Sequence, residues 1–301
     1  MLLSVIICTY NREKYIGDLL KSLAANTLSP DNYEILIVDN NCTDHTADIC
    51  TQFAREHTTT RIRYLYETTQ GLSAARNKGI AEAKGDILLY VDDDALVDNN
   101  YLDTYFRFFD EHPDAMAAGG PIIPLYETQE PDWMSPYVKS LLTAYMYYGD
   151  KLRTYPMNAF PGGGNAAYRK QVFLQIGPFN PQLGRNGSNL MGAEEKDIFF
   201  KMRKMKLPIY YLPKAVLHHI IPPRKLQLDY FDNLTLQIGK SERLRTLSLS
   251  SAQYFCRLLQ ELVKWGGTII LATYYSLRLT PKKARMLIRF RCNVTRGLLQ
   301  K

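Results

Sequence analysis

The amino-acid sequence predicts an α/β fold: a mostly parallel central sheet with helices on both faces, followed by a C-terminal helical appendage. Three observations carry that expectation. The first half of the 301 residues alternates short apolar runs with stretches of helical periodicity, the pattern of strands joined by helical crossovers. Several of the apolar runs end abruptly in polar residues. Beyond residue 225 the strand signals stop and the chain reads as helix.

In chain order, residues 3–8 (LSVIIC) form a first buried strand and residues 15–25 a helix with apolar positions at helical spacing. Residues 33–38 are a second strand. Residues 43–55 are a helix, with Thr43 and Asp44 as capping oxygens at its start. A strand at 62–66, a helix at 72–83 headed by Ser73, a strand at 87–91 and a helix at 101–109 complete the alternation. From 113 to 161 the periodicity weakens, with Pro121, Pro124, Pro131 and Pro136 among many tyrosines, and irregular structure is expected. Short segments return over 162–219.

A hydrophobic content of 46% suffices for a substantial core and excludes a disordered chain. Five cysteines, odd in number and without a CxxC pair, argue against a disulfide framework or a zinc site and for a reducing compartment. The start, MLLSVIICTYNRE, has no basic leader and reads as the first core strand. The net charge of +7 conceals an asymmetry: residues 240–301 hold thirteen Lys or Arg against Glu242 and Glu261, a net +11, leaving about −4 for the rest. Within that tail an apolar stretch from Trp265 to Leu279, too short to span a bilayer, is flanked by cations and resembles an interfacial membrane segment.

The chemistry sits at the strand ends. LLYV breaks into Asp92, Asp93 and Asp94, oxygen ligands suited to a hard divalent cation, Mn²⁺ or Mg²⁺. Thr9, Tyr10, Asn11 and Arg12 follow the first strand and Asp39 the second. In open α/β sheets ligands bind beyond the carboxyl ends of the strands, so these groups are expected to line one crevice. Asp39 suits the imide N–H of a uracil or thymine ring, and Arg76, one turn into its helix, suits a diphosphate. No GxGxxG follows the first strand and no GxxxxGK[ST] occurs, which disfavours dinucleotide enzymes and P-loop proteins. Gly163 and Gly164 would let backbone approach a sugar, with Asn165 offering its amide to hydroxyls, and the aromatic-rich stretch from Trp133 to Tyr148 suits either stacking on an acceptor sugar or covering the core.

Six motifs in order, TYNR, VDNNCTDHT, QGLSAARNKG, VDDDA, PGGGNAAYRK and GAEEKD, resemble those of family 2 glycosyltransferases over roughly residues 2–222. The resemblance implies a GT-A (Rossmann-like) catalytic domain over 1–224, with a nucleotide-binding half at 1–112 and an acceptor half at 113–224, then the basic tail at 225–301. It implies metal-assisted, inverting transfer of a sugar from a nucleotide-diphosphate donor, with UDP expected, to a glycan or lipid-linked glycan. Thr9, Asn11 and Asp39 would contact base and ribose, and Tyr10, Arg12, Gly71, Arg76, Asp92 and Asp93 complete the donor set. Asp94 would hold the metal, joined by His218 in preference to His219. The base falls in the pair Glu194–Glu195, whose second position is usually Asp in the family. Glu195 is the expected base, Glu194 shares or orients, and Asp197 is the outside candidate. A peripheral location at the cytoplasmic membrane face follows, with no nucleic-acid partner. The rival reading is a catalytically inactive nucleotide-sugar-binding scaffold.

Overall fold

A computed structural model describes residues 1–157, 159–187, 190 and 192–300. In chain order the elements are β1 (Leu3–Thr9), α1 (Ile16–Ala24), β2 (Tyr33–Asp39), α2 (Thr46–Glu56), β3 (Arg61–Tyr66), α3 (Leu72–Glu82), β4 (Ile87–Val91), β5 (Ala95–Val97), α4 (Tyr101–Glu111), β6 (Ala117–Gly119), β7 (Ile122–Tyr126), α5 (Pro136–Thr143), β8 (Arg153–Thr154), β9 (Asn165–Arg169), α6 (Gln171–Ile176), α7 (Glu194–Lys204), β10 (Ile209–Tyr211), β11 (Leu217–Ile221), α8 (Leu228–Leu249), α9 (Ser251–Leu277) and α10 (Pro281–Leu299). The chain divides into two compact units. The first comprises Met1–Leu125, Met146–Pro181 and Glu195–Ile220; the second comprises Tyr126–Tyr145, Gln182–Glu194 and Ile221–Lys301. Two segments expected in the catalytic domain therefore belong with the helical tail.

The core of the first unit is a sheet in the order β3-β2-β1-β4-β9-β6-β10-β8, eight-stranded among the described residues. Every residue of β2 is buried, as expected of a strand covered on both faces. β1 pairs parallel with β2 and β4, and Thr9 lies in register with Asp39. β9 enters antiparallel between β4 and β6, setting Val91 opposite Asn165. α3 packs on β1 through Gly79, where a Cβ would come within 2.5 Å of Ile6 Cγ2. A second sheet runs β5-β11-β7, with His219 opposite Ala95 and His218 opposite Leu96. The proline-rich stretch is more regular than expected, since it yields β6, β7, α5 and β8.

Two helix starts differ from expectation. α2 begins at Thr46, not Thr43: Asp44 accepts from the Thr46 amide at 3.1 Å and from the Glu13 amide at 3.1 Å, so its carboxylate is spent tying two loops together. α3 is headed by Gly71 at φ +138°, a conformation open to glycine, and Ser73 lies buried inside the helix. The residue after Asp94 opens the short strand β5 and no helix.

In the second unit α8, α9 and α10 pack with α5 around Met134, Val138, Leu142, Phe231, Leu234, Met286 and Leu287. Gly239 and Gly297 permit a close crossing of α8 and α10, because a Cβ on either would meet backbone of the other helix. The same bundle buries charge. Arg257 pairs with Glu261 at 2.8 Å and with Glu242 at 3.4 Å, Arg245 with Glu242 at 3.2 Å, and Arg291 with Glu261 at 3.0 Å. Among the described residues no helix is long and apolar enough to cross a membrane.

Candidate active site

Because β2, β1 and β4 are adjacent and parallel, their carboxyl ends bring Thr9, Asp39 and Asp92 to one edge of the sheet. Asp39 is buried and held from two sides. The Cys42 amide donates to its Oδ1 at 2.7 Å, and the Tyr64 hydroxyl donates a short hydrogen bond to Oδ2. Burial, reinforced by the Asp39 carboxylate, holds the Tyr64 phenol far above its ordinary pKa, so it stays a donor. Tyr64 stands outside the six motifs; the alternation in RIRYLY puts Tyr64 and Tyr66 on one face, and Tyr66 likewise donates to Asn41 at 3.0 Å. Asn11, at φ +55°, accepts from the Thr43 amide at 2.8 Å. Thr9 Oγ1 is buried with no hydrogen-bond partner among the described residues, and Tyr10 is exposed beside it. Asn40, in the polar group that ends β2, donates to the Glu67 and Thr69 carbonyls and accepts from the Gly71 amide at 2.7 Å, fixing the loop that launches α3.

The three carboxylates after β4 have separate environments. Asp93 accepts from Arg12 Nε at 2.9 Å, and Arg12 also lies 3.8 Å from Asp94. Burial nevertheless raises the Asp93 pKa, with Asp94 and Asp92 pushing the same way against Arg12. Asp92 lies against Gly164, where a Cβ would overlap its carboxylate, and its amide donates to the Gly164 carbonyl at 3.3 Å. Asp94 has His219 Nε2 at 3.3 Å. The antiparallel β5–β11 pairing explains this: Ile220 donates its amide to the Asp94 carbonyl, which draws the neighbouring His219 to the carboxylate. His218, the sequence-preferred ligand, turns to the opposite face and lies 3.0 Å from Asp98. The histidine beside Asp94 is thus His219.

Arg76 is buried in α3 with its guanidinium 5.3 Å from the Phe179 ring centre and 5.8 Å from that of Tyr90, and its Nη2 lies 3.5 Å from Glu195 Oε1. Glu195 in turn fills the space a Gly163 side chain would take. A small cleft lined by Cys8, Leu72, Arg76, Asp92 and Gly163 joins these groups. Burial pushes the Cys8 thiol up to about 12, which removes it as a nucleophile. Asp197 is engaged by Lys201 at 2.8 Å. Glu194 is buried and belongs to the second unit.

Two expected acceptor contacts are not what the sequence suggested. Asn165 is fully buried: its Oδ1 accepts from Tyr101 and Tyr105 at 2.7 and 2.6 Å, and its Nδ2 donates to the Pro121 and Ala215 carbonyls at 2.9 and 3.0 Å. All four hydrogen-bonding positions of the amide are taken, so Asn165 fastens the sheet and has nothing to offer a sugar. Trp133 sits in the second unit, packed edge-on to Phe231 at 6.2 Å.

Among the described residues no group of three or more His, Cys, Asp or Glu side chains converges as a metal cage. Asp94 with His219 is a two-ligand donor set. An oxygen and an imidazole nitrogen donor together fit a first-row divalent cation such as Mn²⁺.

The model of glycosyl transferase family 2 matches residues 4–177. The chain belongs to that family. Among relatives of this family 2 enzyme, the glucosyl-dolichyl phosphate glucuronosyltransferase of Haloferax volcanii is 23% identical over 251 residues, covering 82% of this chain and 78% of that protein. The poly(ribitol-phosphate) β-N-acetylglucosaminyltransferase TarS of Staphylococcus aureus is 35% identical over 112 residues, 37% of this chain and only 19% of TarS. In three dimensions the family 2 chain resembles S. aureus TarS 1–349 in complex with UDP (TM-score 0.54, 19% identity, 98% of this chain and 90% of that one). It also resembles the mannosyltransferase PcManGT of Pyrobaculum calidifontis in complex with GDP-Man and Mn²⁺ (TM-score 0.61, 17% identity, 97% and 86%). The fold is GT-A, and the chain is a family 2 glycosyltransferase.

Proposed function

We propose that this glycosyltransferase transfers a sugar, with inversion, from a UDP-linked donor to a glycan or lipid-linked glycan, working as a peripheral protein at the inner face of the cell membrane. The observation that carries the reading is the convergence, at one sheet edge, of Thr9, Asp39 and the Asp92, Asp93, Asp94 triplet with an arginine and a carboxylate, Arg76 and Glu195, 3.5 Å apart. UDP on TarS supports the donor, and the dolichyl phosphate and poly(ribitol-phosphate) in the relatives' names support a lipid-linked or polymeric acceptor.

Asp39, oriented by Tyr64 and Cys42, faces the base together with Thr9 and Asn11, while Tyr10 covers it from the mouth. Arg12 steadies the acidic triplet through Asp93. Gly71 shapes the loop ahead of Arg76, which neutralises the diphosphate, and Asp92 receives the ribose or sugar. Asp94 and His219 would hold Mn²⁺ or Mg²⁺ there, a cation that supplies Lewis-acid stabilisation of the leaving diphosphate. Glu195 takes the proton from the acceptor hydroxyl as it attacks the anomeric carbon, and the missing side chains of Gly163 and Gly164 make room for the Glu195 and Asp92 carboxylates.

A thermal-shift screen of UDP-, GDP- and dTDP-sugars with Mn²⁺ or EDTA tests the donor. Stabilisation by UDP-sugars only with Mn²⁺ is expected. Silence towards every nucleotide, together with absent donor hydrolysis, would return the inactive scaffold as the better account.

A further inference from the structure

Helix α9 carries an apolar stripe on its outer side and buries ion pairs on its inner one. Its positions 255, 259, 262, 266, 270 and 277 recur at helical spacing on one face, and that face is outward. Leu262 is 68% exposed, Ile270 70% and Leu277 80%, with Phe255, Leu259 and Val263 exposed beside them. The face turned into the bundle is mixed: Arg257, Glu261 and Thr268 are buried there beside Ala272, with Leu271 and Tyr275 packed against the core. Water as the outer medium selects the opposite arrangement, since burying ions costs solvation and exposing aliphatic side chains forfeits their transfer free energy. An apolar outer medium selects the one observed.

Charge identifies that medium. Glu242 and Glu261, the only acids in residues 240–301, are both buried in the ion-pair network. The exposed charge of this stretch is consequently positive, with Lys264 and Arg278 exposed on α9 and Arg285 and Arg296 exposed on α10. A second copy seated on the strip would bring cations against cations, whereas anionic headgroups complement them. The 27 residues of α9 extend about 40 Å, long enough to lie along a bilayer surface.

We propose that the outward face of α9 is the membrane-docking surface of the protein, lying flat in the headgroup region of an anionic bilayer with Phe255, Leu259, Leu262, Val263, Ile270 and Leu277 among the acyl chains. This rests on the peripheral-membrane reading above and names the surface responsible. Internal ion pairs hold the charges of Arg257 and Glu261 within the bundle while the outer apolar residues face lipid.

The full chain is sedimented with vesicles of phosphatidylcholine alone or mixed with phosphatidylglycerol, and its oligomeric state is measured by light scattering. Wild type is expected to bind the anionic vesicles, and Leu262→Glu/Ile270→Glu to lose binding by on the order of tenfold or more, while its melting temperature and UDP-sugar stabilisation hold. In Val263→Trp, added anionic vesicles should shift the emission of the introduced indole, taken as the difference from wild type, to the blue. Unimpaired vesicle binding by the double variant, or an unmoved difference emission from Val263→Trp on bound vesicles, overturns the α9 assignment and leaves peripheral binding standing. Absence of wild-type binding overturns both. A wild-type oligomer that the double variant dissolves, without vesicle binding, makes the face a self-contact and overturns the proposal.

Discussion

Gly163 and Glu195 share one space: a Cβ on Gly163 would fall on the Glu195 carboxylate. The glycine thus fixes where the proposed base sits, and Gly163→Ala is expected to displace it. A misplacement of about 1 Å costs on the order of 10²-fold in turnover, so the variant should keep its donor-induced thermal shift while initial rates drop by that factor. Rates within a few-fold of wild type would separate Gly163 from the chemistry.

Glu195→Gln should lose on the order of 10² to 10⁴-fold in turnover with donor affinity intact, measured by titration with a UDP-sugar and by single-turnover kinetics. Asp197→Asn is the comparison. Its carboxylate already belongs to Lys201 at 2.8 Å, and little change in rate is expected.

The two adjacent histidines give opposite expectations. His219→Ala and Asp94→Ala should abolish the Mn²⁺-dependent part of donor binding, read by calorimetry with and without EDTA, and His218→Ala should retain it. Equal losses from both histidines would mean that proximity to Asp94 is not what matters.

Asn165→Ala leaves two buried tyrosine hydroxyls and two carbonyls without their partner. Each unsatisfied buried group costs about 1–3 kcal/mol, and with partial relaxation a loss on the order of 3 kcal/mol or more is expected in urea unfolding. A loss under about 1 kcal/mol would show that water or rearrangement replaces the amide.

Acid should weaken the helical unit through Glu261. Burial pushes its pKa up, but hydrogen bonds and charge from Arg257 and Arg291 outweigh that and hold it below the ordinary 4.5. A lowered carboxylate contributes stability that is present above the ordinary value and lost as pH falls through the lowered one. Melting followed by circular dichroism should therefore decline below about pH 4.5, and the decline should be shallower in Glu261→Gln.

The parallel strands and their polar ends were legible because each apolar run of β1, β2 and β4 stops where its chemistry starts, and local alternation suffices to place Asp39 and Asp92. What eluded the sequence depends on partners far along the chain. Asn165 is captured by tyrosines on α4, some sixty positions earlier, so its GGGN setting read as a ligand loop. Alternation required one of the histidines to turn away, but only the β5–β11 register says which. The apolar stripe of α9 was visible, and its outward aspect was not, because periodicity gives a face without saying which way it points. The inclusion of residues 126–145 and 182–194 in the helical unit likewise has no local signature.

The insertion of β9 between β4 and β6 also ties the sheet to the site. Both neighbours are synthesised well before it, so a nascent chain ending short of residue 165 leaves the far edge of β4 unpaired and open to wrong partners. Pairing of β9 closes that edge and, in the same movement, delivers the Gly163–Gly164 turn to Asp92 and Glu195. The pairing that covers the far edge of β4 is thus also the one that seats the Gly163–Gly164 turn beside Asp92.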